Sequence, residues 1–201
     1  MPAENRRARK KLATEQTIVD TAMTLFAANS FALTTMEQIA EASDIAKATL
    51  YRYFPVKEAI LVVYWKYKSE EALENSTTFF KRFTDTKSRL RAYLKLGLDE
   101  AMKNHELFSA YFNYRMQHIN DPVAAKNHNS GFIRLLTRIL ATGVEKGELR
   151  TDIPIPVLAA QFELSASMLF VNWIRNQEDL KVNQSVSMIV DLYMRGAAAK
   201  K

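Results

Sequence analysis

Lys47, Ala48, Tyr51 and Arg52 recur at i, i+1, i+4 and i+5 within the stretch AKATLYRYF, which opens at Ala46. At about 100° per residue these four share one side of a helix, and Ala46, Leu50, Tyr53 and Phe54 take the other. Two cations, a phenol and a methyl on one face are the groups that hydrogen-bond phosphates and base edges and touch a thymine methyl. The same face is equally compatible with plain solvation, the usual fate of a charged helix side. Two neighbouring features favour the first reading. Lys57 follows Pro55 at the start of the next helix, where the helix dipole disfavours a cation unless an anion lies there too. The run RRARKK precedes the first helix, within reach of an adjacent groove or backbone.

Apolar residues recur at helical spacing almost throughout, with no sustained strand-like alternation, which predicts an all-α fold. Ile18, Ala22, Leu25 and Phe26 define a first helix over about 14–28. A second, short helix starts at Thr35, where Thr35 and Gln38 form a capping box. The third spans about 46–54 and stops at Pro55. Only Ser43 to Ile45 separate the second and third, so the pair forms a helix-turn-helix whose second member fits a major groove. A long fourth helix runs from Lys57 towards Asn75. Further helices are expected over 86–104, 106–117, from 123 or later to 146, 156–176 and 183–195. Asp121-Pro122 marks a break, Gly147 a left-handed C-cap, and Pro156 a first helical turn.

The composition narrows the chemistry. The 201 residues include no cysteine, which removes disulfides and thiolate catalysis. His105, His118 and His128 lack the close spacing of a local metal site, and no nucleophile elbow, phosphate loop or paired-carboxylate signature occurs. No enzyme, no cofactor and no metal are expected. No apolar run approaches the ~18 residues of a membrane span, and Glu15, Gln16 and Asp20 interrupt any signal-like core, so the expected location is the cytoplasm. A net charge of +6 suits a polyanionic partner.

The segment IVDTAMTLFAANSFALTTMEQIAEASDIAKATLYRYFPVKEAIL, Ile18 to Leu61, resembles the DNA-binding domain of the tetracycline-repressor (TetR) family. The resemblance rests on the Leu25-Phe26 pair, Phe31, Thr34-Thr35, Ile39-Ala40, TLYRYF and Lys57-Glu58. It implies that Thr35 touches a phosphate, that Lys47, Ala48, Thr49, Tyr51, Arg52 and Tyr53 meet bases and backbone, and that Lys57 binds a phosphate. The chain departs from the family at four places. Asp44 stands for the turn glycine and Ala48 for a glycine near DNA. Ala46 replaces a serine cap, at a cost of ~1 kcal/mol, and Val56 a polar cap.

The resemblance further implies an N-terminal three-helix DNA-binding domain, 1–56, and a C-terminal helical bundle for ligand binding and dimerisation, 57–201. The bundle is rich in aromatics, and Trp65, Phe108, Phe112 and Phe162 are the candidate ligand contacts. The last two helices carry the expected dimer interface: Phe162, Ala166, Phe170, Val186, Ile189, Val190 and Tyr193. Pattern alone fits completion of a protomer core equally well. Together these features describe a homodimeric repressor, released from a palindromic double-stranded operator by an unidentified small molecule. It would be nucleoid-associated when bound and have no membrane partner. The competing readings are an activator or ligand-independent regulator of the same fold, and a helical ligand-binding or adaptor protein that has lost DNA binding.

Overall fold

Apart from one antiparallel bridge between Leu149 and Ala198, regular structure among the described residues is entirely α-helical. A computed structural model describes residues 2–119, 130–176 and 181–198, the side chains of 2–5 excepted. In chain order the helices are α1 (Pro2–Asn29), α2 (Met36–Ala42), α3 (Lys47–Tyr53), α4 (Lys57–Glu74) and α5 (Ser76–Arg82). They continue with α6 (Thr86–Lys103), α7 (His105–Gln117), α8 (Gly131–Glu145), α9 (Ile155–Arg175) and α10 (Val182–Ala197). The expected break at Asp121-Pro122 and His128 lie outside the described residues.

The helices divide into two units. The described residues of Met1–Tyr67 and Glu106–Ala124 form the first, and those of Lys68–His105 and Ala125–Lys201 the second. The first unit thus runs past the expected division at 56/57, taking in most of α7. Its core is built by Ile18, Val19, Phe26, Ile39, Leu50, Phe54, Ile60 and Leu61, all buried. Burying such side chains is worth about 1.5–3 kcal/mol each, enough to hold the seven-residue helices α2 and α3, which would not form alone. The Tyr67 hydroxyl donates to Glu15 Oε1 at 2.8 Å, tying α4 to α1. Burial and then that carboxylate push the phenol's pKa above its ordinary value.

The local signals read from the sequence form as expected. Thr35 Oγ1 accepts from Gln38 N at 3.2 Å, and Gln38 Oε1 accepts from Thr35 N at 2.8 Å, completing the capping box. Asp44 takes a positive φ of 51°, the conformation a turn glycine would supply. Ala46 leaves α3 without a side-chain cap. Gly147 has φ 69° at the end of α8.

Three elements differ from expectation. α1 begins at Pro2, so Arg6, Arg7, Arg9, Lys10 and Lys11 are exposed on a continuous helix and not on a loose arm. α5 was not legible because Asn75 to Thr78 are poor helix formers. Its anchors are tertiary: Ser76 Oγ accepts from Arg138, and the Phe80 ring has the guanidinium groups of Arg89 and Arg138 at 4.6 and 4.8 Å. α9 has a mean hydropathy of 1.3, long and apolar enough to cross a membrane by length and composition, contrary to the reading of apolar runs. Its inner side, however, is occupied by protein: Phe162 packs on Tyr193 at 4.9 Å, and the Tyr193 hydroxyl donates to the Leu158 carbonyl. Burial pushes that phenol up to about 12.

The second unit is held by close backbone approach as well as by apolar burial. Gly131 donates to Ser69 Oγ, and a Cβ there would lie 2.0 Å from the Ser69 carbonyl oxygen. Asp85 caps α6 by accepting from Ser88 N at 2.8 Å, which holds its carboxyl below the usual carboxylate range.

Candidate nucleic-acid interface

α3 presents the face that its spacing describes. Leu50 is fully buried against the core, while Lys47, Ala48, Tyr51 and Arg52 are exposed and Thr49 and Tyr53 half-buried. Ala46, expected on the packed side, is exposed, because it precedes the helix and caps it only through its carbonyl. Arg52 has no hydrogen-bond or ion-pair partner among the described residues, so its guanidinium is available to a base edge.

Glu37, on α2, carries no signal of its own in the sequence. Its Oε1 accepts from the Tyr51 hydroxyl at 3.4 Å and lies 4.0 Å from the Lys47 ammonium. All three side chains are exposed, so the contacts are weak and screened. Their chemical consequence is orientation: the carboxylate gathers two α3 donors on the same side. The relation spans ten and fourteen residues, beyond any helical spacing, which is why no local pattern reveals it.

Lys57 is half-buried and turned inward. Its ammonium donates to the carbonyls of Phe31, Ala32 and Thr34 at 2.6, 3.2 and 3.0 Å, and sits 4.4 Å from the centre of the Phe31 ring. The geometry expected for phosphate binding is therefore not the one adopted, because the turn supplies three nearer oxygens.

The helical N-terminus also changes what the basic run can do. An α-helix is about 10–12 Å across, and a B-DNA minor groove about 6 Å wide. Arg6 to Lys11 cannot thread that groove as a helix and are left with phosphate contacts. Replacing the five cations by glutamine should lower the slope of log affinity against log salt by up to ~0.9 for each phosphate that is no longer neutralised. Base preference should stay unchanged, as measured by titration on several sequences at several salt concentrations.

A family model described as "Bacterial regulatory proteins, tetR family" matches residues 18–64, which take in α2 and α3 whole and parts of α1 and α4. Residues 18–64 thus carry a DNA-binding domain of the tetR family. Over nearly its whole length it is also similar to curated regulators. It is 20% identical over 180 residues to the Fatty acid metabolism regulator protein of Bacillus subtilis (strain 168), covering 89% of this chain and 93% of that one. It is 23% identical over 185 residues to the HTH-type transcriptional repressor KstR2 of Rhodococcus jostii (strain RHA1), covering 90% of each. Among solved structures, FadR of Thermus thermophilus in complex with lauroyl-CoA superposes with a TM-score of 0.79. That match has 21% identity and covers 93% of this chain and 96% of that one, which shows the shared fold. These relatives are transcriptional regulators and not enzymes. With that domain, and with regulators as relatives along nearly its whole length, the chain is a DNA-binding transcriptional regulator.

The candidate ligand contacts do not all converge. Trp65, Phe108 and Phe112 are buried together in the first unit: Trp65 meets Phe108 edge-on at 5.4 Å, and Phe108 stacks on Phe112 at 6.0 Å. The Trp65 Nε1–H is buried without a hydrogen-bond partner among the described residues. Phe162 belongs to the second unit, fully buried against Tyr93 and Tyr193.

Most of the expected dimer residues lie inside the protomer. Phe162, Ala166, Val186, Val190 and Tyr193 are all buried within the single chain, and Phe170 and Ile189 are half-buried. The apolar residues left exposed are Val157, Leu164 and Met168 on α9, and Met188 and Leu192 on α10. Leu164 follows Phe162 by two residues and Leu192 follows Val190 by two, about 200° round each helix. A helix apolar on most sides gives no pattern to say which side meets its own chain.

Proposed function

We propose that this protein is a homodimeric repressor, bound to a palindromic operator and released from it by a long-chain acyl thioester. The observation that carries the DNA reading is the exposed Lys47–Tyr51–Arg52 face on a short helix whose opposite side is fully buried. One such helix reads few bases, and two copies reach successive major grooves about 34 Å apart. Thr35, Ala48, Thr49 and Tyr53 complete the proposed contact surface. In this reading residues 1–56 serve DNA and 57–201 serve effector and partner.

Dimerisation falls to the exposed stripes on α9 and α10. Five large apolar side chains, more than half exposed, are unusual in a soluble monomer, and the occupant that fits them is a second copy of the same helices. The effector reading rests on the aromatic cluster of Trp65, Phe108 and Phe112. An apolar chain would pack there, and an acceptor on the effector would satisfy the orphaned indole N–H, whose burial costs about 1–3 kcal/mol. Lauroyl-CoA, the ligand of the similar Thermus protein, is the first effector to try. The protein would act in the cytoplasm, on the nucleoid.

An operator is first selected from random duplexes with the purified protein, and lauroyl-CoA is then titrated against the complex. The expected coupling is ~1–3 kcal/mol, a 5–150-fold loss of operator affinity, with the operator weakening lauroyl-CoA binding by the same factor. Failure to select any sequence would defeat the DNA reading. Selection with no response to lauroyl-CoA would defeat only the choice of effector.

A further inference from the structure

The turn between α1 and α2 has an unusual way of satisfying its backbone. Ser30 is held at φ 68°, and residues 31–34 lie in no helix. Their polar groups must still be paired, since the Phe31 and Thr34 side chains are buried. Two charged side chains do most of it. The Glu106 carboxylate accepts from the amides of Phe31 and Ala32, at 3.3 Å through Oε2 and 3.0 Å through Oε1. The Lys57 ammonium takes the carbonyls of Phe31, Ala32 and Thr34. An anion holds the N–H groups and a cation the oxygens of the same two residues, Phe31 and Ala32. Hydrogen bonds of this charge-assisted kind are roughly twice as strong as neutral ones.

The two side chains come from different helices. Lys57 opens α4, and Glu106 lies in the first turn of α7, where a negative charge is favoured by the dipole. α7 also carries Phe108 and Phe112, packed at Trp65. The turn leads directly into Thr35, the cap of α2, and α2 carries the Glu37 that gathers Lys47 and Tyr51.

From this geometry we propose that Glu106 and Lys57 are positioning residues that clamp the α1–α2 turn, so that the placement of α7 sets the affinity of the α2–α3 surface for DNA. A displacement of α7 by about 1 Å would carry both Glu106 contacts beyond hydrogen-bond range. The inference rests on the repressor reading for its consequence, but not for the clamp itself. It assigns to Lys57 an inward role in place of a phosphate contact.

The test uses the full chain and three variants, Glu106→Ala, Glu106→Gln and Lys57→Ala. Amide exchange at Phe31 and Ala32 should speed up by about tenfold or more in Glu106→Ala, while the buried amides of α1 stay protected. Operator affinity should fall by about tenfold in both alanine variants with no change in salt slope, and the double variant should be no worse than the poorer single. The sign is diagnostic. Removing a carboxylate near DNA strengthens binding if charge alone matters, whereas loss of the clamp weakens it. Glu106→Gln keeps the shape and one acceptor oxygen, and should fall between wild type and Glu106→Ala in both measurements. Unchanged exchange in Glu106→Ala would overturn the clamp. So would a salt slope flattened by about one unit in Lys57→Ala beside unaltered binding in Glu106→Ala. A wild-type chain that binds no DNA would defeat the repressor reading, and the exchange comparison would still decide the clamp.

Discussion

Leu192→Glu, or Leu164→Glu, should convert the proposed dimer to a folded monomer and lower operator affinity by about 10²–10⁴-fold. The magnitude is that of losing the effective concentration with which one half-site holds the second recognition helix near its own. Leu192 is 72% and Leu164 63% exposed in the protomer, so a charge at either position costs the single chain little. In an interface between two copies the same charge would be buried without a partner and strongly opposed. Sedimentation velocity should give the monomer mass, and circular dichroism an unchanged helical content. Val190→Glu is the contrasting variant. Its side chain is fully buried, so the charge should unfold the second unit instead of dissociating a dimer. A dimer that survives both Leu164→Glu and Leu192→Glu would move the interface away from the exposed stripes.

Arg52→Ala should cost about 1–3 kcal/mol on the selected operator and relax the preference at one position in each half-site. The guanidinium is exposed on α3 beside Lys47 and Tyr51 and has no partner among the described residues. Nothing need be broken before it reaches a base. Guanine is its natural target, because O6 and N7 match the fork of two N–H donors. Non-specific affinity should fall far less, since that term is carried by phosphate contacts. Repeating the selection with the variant measures both effects together. An unchanged sequence preference would mean that α3 docks through another face.

These two predictions draw on different kinds of information. The recognition face, the capping box at Thr35 and Gln38, the left-handed turn at Asp44 and the uncapped start at Ala46 were all legible in the sequence. Each depends on residues within one or two helical turns, where spacing dictates which groups meet. The tetR-family resemblance was legible for the same reason, since its motifs lie in one unbroken stretch from Ile18 to Leu61.

Tertiary structure decided the rest. Lys57 looked like a free cation at a helix start until Phe31, Ala32 and Thr34 brought three carbonyls to it from more than twenty residues away. Glu106 carried no local signal at all, because its partners lie 74 and 75 residues earlier. The basic run became a helix because α1 continues through it, and a helix cannot enter a minor groove. On α9 and α10 the sequence established that apolar surface must be covered, and only packing chose the side. Phe162 and Val190 went to the protomer core, and Leu164 and Leu192 were left outside. Hydrophobic burial is proportional to area and indifferent to partner, so a helix apolar on most sides does not encode which neighbour it meets.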